Sequence, residues 1–159
     1  GDRHDETQVG LDEGVDRAVA LGGEELQLLA RGALGGASLG ASHATLVDDG
    51  ARAHALMRQN VAKARSQAAT TLLRRDATKL GRHAGPAFDV VFLDPPYGQG
   101  RGEVALASAL QGGWIGGGAW IIWEESRPPL LPAAVTLLDR RSYGDTVVTL
   151  ARVAAAEGE

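Results

Sequence analysis

The chain contains no cysteine and few aromatic residues: of 159 residues, three are tryptophan, two tyrosine and two phenylalanine. The absence of cysteine excludes disulfide bonds and thiolate metal sites, and it fits a reducing cytoplasm. The four histidines, His4, His43, His54 and His83, do not have the spacing of metal ligands, so we expect no metal. No apolar run approaches the length of a membrane span, and no basic leader precedes an apolar stretch. We therefore expect neither a membrane segment nor a secretion signal.

Acidic residues are concentrated near the N-terminus. The net charge is −4, and residues 1–25 hold eight acidic residues against two basic ones, whereas residues 26–159 hold 14 basic and 12 acidic residues. Residues 1–25 also lack apolar periodicity, so we expect a disordered or loosely attached segment, with a helix over 11–20 as the alternative. The remainder, residues 26–159, is long enough for one domain and mildly basic, which permits a nucleic-acid partner.

From residue 26 onward, short apolar segments alternate with helical or glycine-rich ones. The predicted strands cover residues 26–30, 43–47, 70–73, 88–93, 119–124, 135–139 and 147–150, and the predicted helices cover 51–65 and 104–110. Residues 88–93 are almost wholly apolar, which is typical of a parallel strand that is covered on both faces. This order predicts an α/β fold with a doubly wound, mostly parallel central sheet that ends in an antiparallel hairpin.

The strand at 88–93 ends in Asp94-Pro95-Pro96-Tyr97. Neither proline has a backbone N–H to donate, so the strand cannot continue through them, and each proline favours extended geometry in the residue before it. The segment offers a carboxylate, proline carbonyls and an aromatic face. Such groups suit a flat base with an exocyclic amino group, because oxygen atoms accept its N–H bonds and the tyrosine ring stacks on the heterocycle.

Three acidic residues follow successive predicted strands, and in sheets of this kind a ligand lies across the carboxyl ends of the strands. Asp48, Asp76 and Asp94 should therefore share one edge of the sheet. Asp48 is a candidate acceptor for ribose hydroxyl groups, although it or Asp49 could instead cap the next helix. The alternative for Asp76 is likewise a helix N-cap, for a turn over 77–81.

Several segments together resemble the bacterial RsmD family of methyltransferases. They are Thr45-Leu46-Val47-Asp48-Asp49, Leu73-Arg74-Arg75-Asp76-Ala77, Phe88 to Gly98, Gly113-Trp114, Glu124-Glu125 and Tyr143-Gly144-Asp145-Thr146. The resemblance covers roughly residues 41–153. Asp-Pro-Pro-Tyr is the signature of amino-group methyltransferases that use S-adenosylmethionine, and the RsmD family methylates N2 of a guanine in small-subunit (16S) ribosomal RNA.

The resemblance implies a Rossmann-like class I methyltransferase and a role for each matching residue. Asp94, Pro95, Pro96 and Tyr97 would be catalytic, and S-adenosylmethionine would be bound near Ala30, Gly32, Asp48, Asp49, Asp76, Ala77 and Asp94. Asp76 would accept from the adenine amino group, and the backbone of Ala77 would contact the ring edge. The family's loop after the first strand is divergent here: Gln27 stands where the family has an acid.

Three functions are compatible with these features. The first is methyl transfer to a guanine N2 of 16S ribosomal RNA, with ribosomal RNA or the assembling small subunit as partner and a cytoplasmic monomer as the expected state. The second is a catalytically weakened relative that binds RNA or the ribosome. The third is methyl transfer to an amino group of DNA or protein.

Overall fold

In the computed structural model the described residues are 16–21, 43–48, 69–93 and 100–155. Within them lie seven strands, one α-helix and one short 3-10 helix at Ala77–Lys79. The strands are β1 Arg17–Leu21, β2 His43–Asp48, β3 Ala69–Arg74, β4 Phe88–Leu93, β5 Ile115–Glu125, β6 Val135–Tyr143 and β7 Thr146–Val153; the helix, α1, is Arg101–Gln111.

The strands form one sheet in the order β3-β2-β1-β4-β5-β7-β6. The first five strands are mutually parallel, and β7 runs antiparallel to both β5 and β6. The predicted mostly parallel sheet with a C-terminal antiparallel hairpin is therefore confirmed. Strand order reverses beside β1, because the chain proceeds to β2 and β3 on one side and then returns to place β4 on the other. Ligands of open α/β sheets bind outside the strand ends at such a point.

One row of side chains crosses the five parallel strands in register, close to their carboxyl ends. The pairings are Leu73 with Val47, Val47 with Leu21, Leu21 with Leu93, and Leu93 with Trp123. Leu21, Val47, Leu93 and Trp123 are at most 1% exposed, and all five belong to one apolar cluster. Strands β1 and β4 end at this row, and β2 and β3 end one residue beyond it, so the carboxyl ends of these strands lie at one edge of the sheet.

Helix α1 packs against one face of this sheet beside β5, mainly through small residues. Its buried positions are Gly102, Ala105, Leu106 and Ala109, which recur at the spacing of one helical face. The chain between β3 and β4 lies against the C-terminal end of the helix. There the indole Nε1 of Trp114 donates to the Gly81 carbonyl at 2.8 Å, and a Cβ on Gly112 would collide with that same carbonyl. Glycine at position 112 is thus required by close approach.

The first strand of the sheet lies upstream of the one predicted at residues 26–30, which falls outside the described residues. The strand that pairs with β2 and β4 is Arg17–Leu21, inside the acidic segment that was expected to be loosely attached. Its apolar stretch, Ala18 to Leu21, is short, but every residue of it is at most 1% exposed. Alanine and valine suffice for a central strand covered on both faces, so the acids on either side of the stretch obscured it.

Asp89 ties the start of β1 to β4. Its Oδ2 accepts hydrogen bonds from the backbone N–H groups of Asp16 and Arg17, both at 2.9 Å. These amides begin a central strand, and the carboxylate of the neighbouring strand satisfies them. Hydrogen bonds to this side chain thus supplement the parallel strand pairing that holds residues 16–21 in the sheet.

The other predicted elements agree with the structure to within three residues, except that β5 begins at Ile115 rather than 119 and β6 ends at Tyr143 rather than 139. A register shift between Phe88 and Val90 accompanies the extension of β5. The predicted strand 26–30 and helix 51–65 lie outside the described residues. In the part of the chain that the structure describes, no helix is long and apolar enough to cross a membrane.

Replacing Leu21 by alanine tests whether the acidic segment supplies the central strand. The side chain is fully buried, so Leu21→Ala should lower the free energy of unfolding by about 2–5 kcal/mol, as large-to-small core substitutions do. Urea denaturation of Leu130→Ala provides the matched control, because Leu130 is 80% exposed and its loss should cost little. Equal stabilities of the two variants would contradict the placement of β1.

Candidate active site

Asp48 is the last residue of β2 and directly follows Val47 of the buried row. It is only 8% exposed, and its carbonyl accepts a hydrogen bond from the Arg75 N–H at 3.0 Å. That bond holds the first residue after β3 against the end of β2. A carboxylate at this position lies at the edge where the strand order reverses, and it can accept hydrogen bonds from sugar hydroxyl groups.

Asp76 lies on the neighbouring strand end, where it caps the 3-10 helix. Its Oδ1 accepts from the Thr78 N–H at 2.9 Å and from the Thr78 hydroxyl at 2.7 Å, and Arg101 Nη2 lies 3.8 Å away. The Thr78 hydroxyl, the Thr78 amide and the Arg101 charge hold the pKa of the Asp76 carboxyl below its usual value. The capping alternative is therefore observed.

Capping leaves the second oxygen of Asp76 available. Among the described residues, all contacts of the carboxylate are made through Oδ1, so Oδ2 can still accept from a ligand amino group. Ala77, the next residue, is half-buried against the main apolar cluster. The cap thus fixes the orientation of the Asp76 carboxylate. The backbone next to it is held in place because Ala77 packs against the apolar cluster.

Sequence reasoning missed Glu125, a buried carboxylate at the end of β5. It is 5% exposed, and its Oε2 accepts from the Trp123 indole N–H at 3.2 Å. Burial, and secondarily the charge of Glu103, raise the pKa of the Glu125 carboxyl. The available signal was the alternation along β5, which places residues 123 and 125 on one face and residue 124 on the other.

Trp123 and Glu125 together form the surface on which the first turn of α1 lies. A Cβ on Gly102 would lie 2.6 Å from Cζ2 of Trp123 and 2.9 Å from Oε2 of Glu125, closer than real Cβ atoms approach. Only glycine therefore permits this contact. Since Trp123 also pairs with Leu93, one residue contacts the elements on both sides of residues 94–99.

The remaining predicted site residues cannot be placed. Ala30, Gly32, Asp49, Asp94, Pro95, Pro96 and Tyr97 lie outside the described residues, so their assignments stay predictions. The ends of β4 and β1 show which residues come next in the chain. Strand β4 ends at Leu93, within the buried row, so Asp94 is the next residue of the chain. Strand β1 ends at Leu21, nine residues before Ala30, so the sequence that follows the first strand begins Gly22-Gly23.

The described residues contain no group of three or more acidic, histidine or cysteine side chains that could hold a metal ion. What they do contain is a pair of acids on neighbouring strand ends, Asp48 and Asp76. Carboxylates so placed can bind the hydroxyl and amino groups of a nucleoside.

Residues 31–152 match the family described as Conserved hypothetical protein 95. The chain therefore belongs to this family of RsmD-like methyltransferases, and the resemblance found in the sequence is confirmed. No curated protein matches the chain significantly.

Solved structures share the fold over nearly the whole chain. HI0767 from Haemophilus influenzae, classed as a methylase, is 23% identical with a TM-score of 0.74, covering 96% of this chain and 98% of its own. The protein yhhF from Escherichia coli, classed as a methyltransferase, is 23% identical with a TM-score of 0.75 and coverages of 98% and 86%. TrmN from Thermus thermophilus is 20% identical with a TM-score of 0.68, covering 93% of this chain and 47% of its own. These likenesses establish the Rossmann-like fold, and family and fold together imply the general use of S-adenosylmethionine.

Changing Glu125 to glutamine should alter how stability depends on pH. Because the pKa of the Glu125 carboxyl in the folded protein is raised above its ordinary value of 4.5, the folded protein binds more protons than the unfolded chain between pH 4.5 and the raised pKa. Wild-type stability should therefore fall as pH rises through this window. Glu125→Gln lacks this titration and keeps an oxygen for Trp123, so its stability relative to wild type should increase over the same window.

Thermal unfolding between pH 4 and pH 8 measures this difference. Asp145→Asn, in the exposed turn between β6 and β7, removes one negative charge without removing a buried one and serves as the control. If the stability of Glu125→Gln relative to wild type stays constant or decreases with rising pH, burial does not raise the pKa of Glu125.

Proposed function

We propose that this chain transfers a methyl group from S-adenosylmethionine to the exocyclic N2 amino group of a guanine in 16S ribosomal RNA. The observation that carries the proposal is the buried row Leu73–Val47–Leu21–Leu93–Trp123. Asp48 and Asp94 each directly follow a member of this row in the chain, and those members lie on the two strands that flank β1, beside which the strand order reverses. Membership of the RsmD-like methyltransferase family supports both the reaction and the substrate.

The described residues fit the proposed cofactor. Asp48 would accept hydrogen bonds from the ribose hydroxyl groups, as an acid after the second strand does in dinucleotide-binding folds. Asp76, fixed by Thr78 through Oδ1, would accept from the adenine amino group through Oδ2. Neutral donors and anionic acceptors make charge-assisted hydrogen bonds, which are the stronger kind.

The proposed chemistry depends on orientation of the base rather than on a covalent intermediate. When bound, S-adenosylmethionine supplies a methyl group already activated by its sulfonium. Asp94 and the Pro95 carbonyl would accept the N–H bonds of the guanine amino group, which favours localisation of its lone pair on nitrogen. Tyr97 would stack on the base, and positioning for in-line attack would supply much of the rate. The extra proton would leave to Asp94 or to water.

A guanine inside a helix would have to leave the stack before its amino group could meet these residues. We therefore propose an accessible or flipped nucleotide as substrate, presented by ribosomal RNA or by the assembling small subunit. A monomer acting in the cytoplasm is the state that this substrate favours.

The direct test is incubation with labelled S-adenosylmethionine and either ribosomal RNA or particles from a methylase-deficient strain. Nucleoside analysis should find the label as N2-methylguanosine. Label on another base, on DNA or on protein would overturn the proposed substrate and favour the other amino-group methyltransferases. Binding of RNA by a folded protein that neither binds S-adenosylhomocysteine nor transfers label would favour the catalytically weakened relative.

Asp94→Ala should reduce methyl transfer by at least about 10²-fold, the scale of a lost acid–base or positioning group. Cofactor affinity, measured by calorimetric titration with S-adenosylhomocysteine, should change little, because Asp48 and Asp76 are the proposed acceptors for the ribose and adenine groups. Asp139→Ala, an exposed carboxylate of β6, should retain full activity in the same assay. Wild-type activity in Asp94→Ala would remove this residue from the mechanism.

A further inference from the structure

A groove of about 450 Å³ lies beside the candidate active site, between residues 78–82 and the outer side of α1. Lys79 and Arg82 line one wall, and Val104, Ser108 and Gln111 line the other. Apart from half-buried Ser108, these side chains are exposed. We call this feature the α1 groove. Asp76 and Ala77, the proposed contacts of adenine, are not among its lining residues, so it is separate from the proposed cofactor site.

The walls of the α1 groove are fixed relative to each other. The Leu80 N–H donates to the Ser108 hydroxyl oxygen at 2.8 Å, and the His83 N–H donates to the Gly112 carbonyl at 2.8 Å. Gly112 also lies against the Gly81 carbonyl, which brings the two walls together at the C-terminal end of α1. A groove held by hydrogen bonds and backbone contact is preformed, so a ligand need not pay the entropy of ordering it.

The chemistry of the α1 groove suits a polyanion. Its lining residues include two cations and no acid. Neither Lys79 nor Arg82 forms a salt bridge within the described residues. The Ser108 oxygen accepts from Leu80, so its own hydroxyl proton remains for a ligand, and Gln111 adds an exposed amide. Residues 74–82 carry four basic residues and one acidic residue in a chain whose net charge is −4.

The α1 groove is continuous with the edge that carries the candidate active site. Thr78 lines the groove and donates to Asp76, and Arg101, in the first turn of α1, lies 3.8 Å from the same carboxylate. A strand that leaves the active site along α1 would thus meet Arg101 first, then Lys79, then Arg82 near the C-terminal end of the helix.

We propose that the α1 groove binds the sugar-phosphate backbone of an RNA strand, on nucleotides that flank the target base. That the ligand is RNA rests on the proposed function. That the groove contacts the sugar-phosphate backbone rests on its two cations, Lys79 and Arg82. Lys79 and Arg82 contact phosphates, Ser108 and Gln111 donate to phosphate or ribose oxygens, and Val104, which is 52% exposed, contacts the sugar. Such contacts position RNA without reading its sequence.

The test compares Lys79→Ala/Arg82→Ala with Arg140→Ala/Arg141→Ala, which removes the same charge from the exposed strand β6. Fluorescence anisotropy with a labelled single-stranded fragment of 16S ribosomal RNA measures the Kd over a series of salt concentrations. The groove variant should bind at least about fivefold more weakly at low salt. The slope of log K against log salt should become about 1.4 units shallower, because each phosphate contact on a single strand contributes about 0.7.

The β6 variant should stay within about twofold of wild type. Gln111→Lys adds a cation to the groove and should tighten binding, which gives a result that loss of folding cannot imitate. Circular dichroism confirms that each variant is folded. The proposal is overturned if wild type does not bind the RNA, or if the groove and β6 variants have equal affinities and salt slopes.

Methyl transfer by the wild-type protein separates this proposal from the proposed function. N2-methylguanosine formation together with unimpaired RNA binding by the groove variant would contradict the groove alone. Weakened binding by the groove variant, with no guanine methylation by wild type, would contradict the proposed reaction and support the groove.

Discussion

Parallel pairing across five strands is the constraint on which the rest of this structure depends. Leu73, Val47, Leu21, Leu93 and Trp123 lie in register, and all of them except half-buried Leu73 are at most 1% exposed. A slip of one residue in any strand would turn its apolar side chains to the wrong face, so burial specifies the register strongly. Asp48 and Asp76 follow this level at the ends of neighbouring strands, so the candidate site depends on the apolar packing beneath it.

The packing of α1 against β5 and the segment between β3 and β4 is the second determinant of the structure. Glycines at positions 102 and 112 allow the helix to approach Trp123 at one end and the Gly81 carbonyl at the other. Hydrogen bonds from Leu80 to Ser108 and from Trp114 to Gly81 then fix the segment between β3 and β4. This packing holds the segment that contains Asp76 and forms one wall of the α1 groove, so both candidate binding surfaces depend on the same helix.

The sequence was most informative where local pattern and tertiary burial agree. Strand β4 was predicted with its observed bounds, because six residues that are mostly apolar end at Asp94-Pro95. Strand β1 was missed because a central strand can be made of Ala18 to Leu21, whose small side chains give a weak signal among acids. Glu125 was missed because its burial depends on α1, which packs against β5 only in the folded chain. Asp76 is compatible with both predictions, since it caps a turn through Oδ1 and makes no hydrogen bond or salt bridge through Oδ2 with the described residues.

Hydrogen exchange with and without S-adenosylhomocysteine tests the central claim most directly, because it reports where the ligand acts without presuming a substrate. Binding at the common edge should slow exchange in peptides that contain the ends of β1 and β2 and residues 75–80, and should leave the β6–β7 hairpin unchanged. Protection confined to the hairpin, or the absence of any ligand-dependent change in a folded protein, would contradict the account.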